Sequence, residues 1–128
     1  MTVKPLSLGA TISLSSLSFL LVAFGQPAWS SWAGLVASCC GFAFFFRTLL
    51  DIPKKSRRFW LGTAWFAGVQ IVQFSWTFSH PFLYIYAVLL FCASTMGMQF
   101  GILAIFVQRK LFYHPVRLLF VAAFWTLM

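Results

Sequence analysis

The chain reads as an all-α, polytopic transmembrane helical bundle with its N-terminus in the cytoplasm, and three observations predict this. Hydrophobic residues make up 62% of the 128 residues and charged residues only 8%, well outside the range of soluble globular domains. Long apolar runs fill most of the sequence. The gaps between those runs alternate in charge: Lys4 precedes the first run, Arg47, Lys54, Lys55, Arg57 and Arg58 surround the second gap, and Arg109, Lys110 and Arg117 follow the fourth run, whereas gaps 25–31 and 79–81 hold no Lys or Arg. By the positive-inside rule, every basic segment then lies on the cytoplasmic side. The net charge of +8 is accordingly a topology signal.

The first run, 6–24, is about 19 residues long and ends at Gly25, Gln26 and Pro27. That exceeds the apolar core of a usual signal peptide, and no small-x-small site precedes Trp29, so a retained span is expected. Runs 32–50 and 59–78 follow, the latter stopping at Ser79-His80-Pro81. The fourth, 82–107, is long and should tilt or extend into the interface. Each of the four has the roughly 20 residues that cross a bilayer core at about 1.5 Å per residue. Helix is required because backbone groups in lipid must bond within the segment, and the apolar residues do not alternate as in a barrel strand.

Aromatic residues mark the same boundaries. Trp29 and Trp32 bracket the start of the second span, Trp60 starts the third, Trp76 ends it, Tyr84 and Tyr86 open the fourth and Tyr113 follows it. Indole and phenol rings prefer the headgroup level. Trp65 and Trp125 lie deeper and should pack between helices or against lipid. A fifth run, 118–128, reads LLFVAAFWTLM. Its eleven residues make about 16 Å of helix, roughly half a bilayer core. With no polar anchor after it, the expectation is four full spans and a truncated fifth. The chain would form one transmembrane domain, 1–128, at the N-terminal end of a longer protein.

Little in these spans carries chemistry. Thr63, Gln70, Gln73 and Thr77 fall within about 80° on one helix face. They line a polar groove or bond to a neighbouring helix, for example to Gln99 or Ser94. Gly97 and Gly101, four residues apart, predict close helix packing. Ser7, Thr11, Ser15 and Ser18 share a side of the first span and either back-bond within it or reach a neighbour. Cys39, Cys40 and Cys92 lack metal-ligand spacing and read as packing residues. Arg47 is expected to snorkel to the headgroups, and Asp51, the one acid, to pair locally with Lys54 or Lys55. His80 and His114 fall on opposite sides. No acid–base pair or nucleophile constellation can be assembled, so no catalytic, cofactor or metal residues are assigned. The cluster Lys54-Lys55-Ser56-Arg57-Arg58 reaches anionic headgroups at roughly 1 kcal/mol per charge as a consequence of location. Nucleic-acid binding is excluded because the basic residues occupy short loops with no fold of their own.

Taken together, the Pro27-Ala28-Trp29 turn, the basic second gap, the third span FWLGTAWFAGVQIVQFSWTFSHP with Trp76 near its outer end, and the closing LLFVAAFWTLM resemble the N-terminal membrane region of bacterial apolipoprotein N-acyltransferases. In that family a later span ends in Trp-x-x-x-Glu-Trp, which would begin at Trp125. The resemblance implies transfer of an acyl chain from a membrane phospholipid to the N-terminal cysteine of a lipidated apolipoprotein. A Glu-Lys-Cys triad would act in a periplasmic nitrilase-like domain, in an inner-membrane protein. None of the triad can be placed here, and Gln70 and Gln73 depart from the apolar family pattern. This fragment alone is therefore expected to be inactive, with Gln70, Gln73, Trp76, Gly97 and Gly101 lining a lipid groove or packing helices. The rival readings are a small multi-pass transporter or channel, which lacks the embedded carboxylate that proton-coupled exporters require, and an assembly subunit.

Overall fold

A computed structural model describes residues 5–25, 30–79 and 81–108 together with positions 116, 119 and 123. The described residues are all-helical. α1 is Leu8–Phe24, α2 Ser31–Leu49, α3 Lys55–Gln73 and α4 Tyr84–Phe106, with a 3-10 helix over Ser75–Ser79 between the last two. They form two compact units, Met1–Pro53 and Lys54–Met128, each containing one helical hairpin.

In the first unit, serines start both helices. Ser7 Oγ accepts from the Ala10 N–H and Ser30 Oγ from the Ala33 N–H, both at 3.3 Å, satisfying amides that the helix itself leaves unpaired. The hairpin closes around small residues. Ser18, fully buried, donates to the Gly41 carbonyl at 2.6 Å. A side chain at Gly41 would run into Val22, and one at Gly25 would sit 2.5 Å from the Ala37 methyl. The hairpin core is Val22, Ala37, Phe45 and Leu49, with the Thr48 hydroxyl turned back onto the Phe45 carbonyl at 2.7 Å.

The second unit packs α3 against α4 in antiparallel register. Gly62 faces Ala104, Thr63 faces Gly101, and Ala67 faces Gly97. The Phe66 and Phe100 rings stack at 4.8 Å, and Trp65 lies 5.4 Å from Phe100. Trp65 thus packs between helices as its depth in the sequence implies. At the far end Tyr86 donates to the Phe78 carbonyl at 3.1 Å while the two rings stack.

The helices differ from the expected spans in an informative way. Among the described residues only α2, with 19 residues, and α4, with 23, are both long and apolar enough to cross a membrane; four full spans do not appear as four such helices. α1 has 17 residues. α3 starts at Lys55, four residues before the expected boundary, so its first turn carries Lys55, Arg57 and Arg58. It also stops at Gln73, not at residue 78. The cause lies in the hydroxyls that follow: Thr77 donates to the Phe74 carbonyl and Ser79 to the Trp76 carbonyl, each at 2.7 Å. Such local bonds compete with the i→i+4 ladder and favour the tighter turn. The expected partial span 118–128 lies outside the described residues apart from Leu119 and Ala123, which are helical.

Candidate functional site

The polar face expected along the third span divides in two. Thr63 and Gln70 lie on the side of α3 that meets α4; Gln70 is buried and Gln73 half-buried. Thr77 leaves this face, because the helix ends before it and its hydroxyl bonds within the 3-10 turn. The expected partners are not those of Gln70: Ser94 is exposed and Gln99 half-buried, and neither bonds to it. Buried Thr63 Oγ1 has no conventional hydrogen-bond partner. It lies against Gly101, where only a glycine leaves room and where Cα–H groups commonly approach oxygen between packed helices.

Gly97 and Gly101 have the packing role their spacing predicts. A Cβ on Gly97 would lie 2.7 Å from the Thr63 carbonyl and 2.9 Å from the Ala67 methyl; one on Gly101 would lie 2.8 Å from the Phe59 carbonyl. Trp76 is 67% exposed on the 3-10 turn; Phe78, Phe82 and Tyr84 are exposed as well. The hydroxyl-rich side of the first span takes both of its expected roles: Thr11 back-bonds to the Ser7 carbonyl at 3.0 Å, and Ser18 crosses to α2.

The charged residues are arranged differently from expectation. Asp51 pairs with Arg47, one helical turn earlier, at 2.9 Å, and the same carboxylate oxygen accepts the Leu6 N–H at 2.9 Å. Arg47 therefore has a local partner in Asp51, at i,i+4 along the chain. The Asp51 clasp ties the chain ahead of α1 to the end of α2. Arg58 separates from its neighbours: it is 6% exposed and donates to the Val107 carbonyl at 2.6 Å. A cation at the C-terminal end of α4 meets both an unpaired carbonyl and the negative end of the helix dipole. Sequence reading placed Arg58 with the solvated cluster. Its one signal was position, four residues before Gly62 and therefore on the same face of the helix, the one that meets α4.

Chemical groups are sparse. Cys39 and Cys40 are exposed free thiols and Cys92 is half-buried and free. Among the described residues no group of three or more His, Cys, Asp or Glu could hold a metal ion. His80 and His114 lie outside the described residues, as do Lys4, Arg109, Lys110 and Arg117. What the arrangement offers is surface. Leu8, Trp32, Leu83 and Phe91 are each more than 70% exposed, while glycine, serine, threonine and glutamine sit between the helices. No family model, curated protein or solved structure matches the chain.

Proposed function

We propose that this chain is a polytopic inner-membrane platform, the N-terminal membrane-embedded portion of an apolipoprotein N-acyltransferase. The observation that supports membrane embedding is the apolar outer surface: large apolar side chains such as Leu8, Trp32, Trp60 and Phe91 are exposed on each of the four α-helices, beyond the apolar side chains that fill the helix contacts. In water each fully exposed Leu or Phe forgoes roughly 1.5–3 kcal/mol of burial. In lipid that exposure costs nothing, and helices associate through small residues and polar contacts. The shorter helices can still cross. From Phe59 to Gln73 α3 rises about 22 Å, and five residues of 3-10 helix add about 10 Å, together near the thickness of a bilayer core. Outward Trp76 and Tyr84 would then lie at one headgroup level and Lys54 to Arg57 at the other.

The acyl-transfer assignment rests on the sequence resemblance through Trp76 and Trp125. In this reading the chain orients the platform with its basic loops in the cytoplasm, membrane phospholipids are its neighbours, and the reacting groups belong to sequence beyond it. The full reading frame, expressed in cells depleted of their own apolipoprotein N-acyltransferase, is expected to restore N-acylation of a reporter lipoprotein, detected by mass spectrometry. The 128-residue chain alone is expected to restore none. A full reading frame that inserts into the membrane yet leaves the lipoprotein N-terminus free would overturn the assignment and favour an assembly or transport role.

A further inference from the structure

Five consecutive residues, Lys54 to Arg58, look in sequence like one diffuse basic loop, but the structure sorts them. Arg58 is withdrawn into the α3–α4 contact. The only acid, Asp51, is engaged by Arg47 and the Leu6 N–H. Lys54, Lys55 and Arg57 remain exposed, and among the described residues no acid pairs with them. They occupy the N-cap and first turn of α3, so their backbone positions are set by the helix and not by a loose loop.

The face below them is apolar and open. Trp60 is 64% exposed, Leu61 39% exposed, and Ala64 is exposed. With Arg57 these residues fall within about 100° of one another at 100° per residue. Trp60 is braced edge-on against Phe59, with ring centroids 5.1 Å apart, which directs it across this face. A cationic head, an amphipathic indole and an apolar strip thus follow one another down one side of α3. Side chains on a helix lean toward its N-terminus, so the cations reach away from the strip. The order matches that of a phospholipid standing along the helix: phosphate, glycerol and ester level, acyl chain.

We infer that this face of α3 holds an anionic phospholipid of the cytoplasmic leaflet, its phosphate against Lys54 and Arg57 and its acyl chain along Trp60, Leu61 and Ala64. The inference rests on the membrane reading above, but concerns the leaflet opposite the proposed acyl-transfer chemistry. An anionic headgroup is selected over a zwitterionic one because two exposed cations, Lys54 and Arg57, share the site, each worth about a fivefold preference near a negative surface. The selectivity is electrostatic and fades as ionic strength rises.

The test uses the chain in nanodiscs, with spin-labelled phosphatidylglycerol and phosphatidylcholine compared at equal amounts. Phosphatidylglycerol should associate in excess, the excess falling roughly fivefold for each of Lys54→Gln and Arg57→Gln and disappearing in the double variant and in high salt, whereas Lys55→Gln, on the opposite side of the helix, should change it less. Trp60→Ala should weaken both lipids alike. Equal association of the two lipids with the native chain, or an excess that survives the double substitution, would overturn the inference while leaving the membrane reading intact. A chain that does not enter nanodiscs at all would sink both.

Discussion

Gly101 and Gly9 are the same residue type in different surroundings. Thr63 Oγ1 and the Phe59 carbonyl crowd the position a Cβ would take on Gly101, whereas nothing lies within 4 Å of the same point on Gly9. Gly101→Ala is expected to lower the stability of the α3–α4 hairpin by about 1–3 kcal/mol through overpacking. Gly9→Ala should raise helix stability by roughly 0.5–1 kcal/mol, since glycine loses more backbone entropy than alanine. Denaturant titration in micelles, followed by near-ultraviolet dichroism of Trp65, reads the first, and amide exchange along α1 reads the second; an unchanged midpoint for Gly101→Ala would mean that the close approach at Gly101 contributes nothing. The spacing of Gly97 and Gly101 was enough to foresee such an approach. It could not identify Thr63 as the residue that fills it.

At the scale of the element, Arg58 binds the first turn of α3 to the end of α4. A hydrogen bond from a charged donor contributes about 1.5–3 kcal/mol, and here it closes a carbonyl that the helix leaves open. Arg58→Met retains the length and apolar stem but removes the donor. Amide exchange in the last turn of α4, at Leu103 to Val107, should then quicken markedly while the middle of α4 stays protected. Unaltered exchange there would assign the fastening of α4 to apolar packing alone. The same scale explains where the sequence boundaries slipped. Hydropathy registers α3 from Phe59 onward because charged residues lower it, yet Lys, Arg and Ser are acceptable helix formers and the helix begins at Lys55. At the other end, hydropathy runs through Trp76 and Phe78, but the Thr77 and Ser79 hydroxyls tighten the backbone into a 3-10 turn.

For the whole molecule, the alternation of basic and uncharged gaps makes an orientation prediction that a single experiment decides. With Cys39, Cys40 and Cys92 replaced by serine, Ser79→Cys should react with a membrane-impermeant maleimide in intact cells. Ser56→Cys should react only after permeabilisation. The reverse pattern would invert the orientation, and reaction of both without permeabilisation would remove α3 from the membrane altogether.

Composition and run length alone determined that the chain is helical, approximately where its helices lie and which gaps carry charge, because these depend on local hydropathy and backbone self-satisfaction. Tertiary structure decided which polar groups meet. Asp51 reaches the Leu6 N–H, Arg58 leaves the basic cluster for Val107, and Ser18 reaches Gly41. Those choices depend on the crossing geometry of paired helices, set by residues such as Gly41, Gly62, Gly97 and Gly101 that allow backbones to approach, and no one-dimensional pattern specifies it.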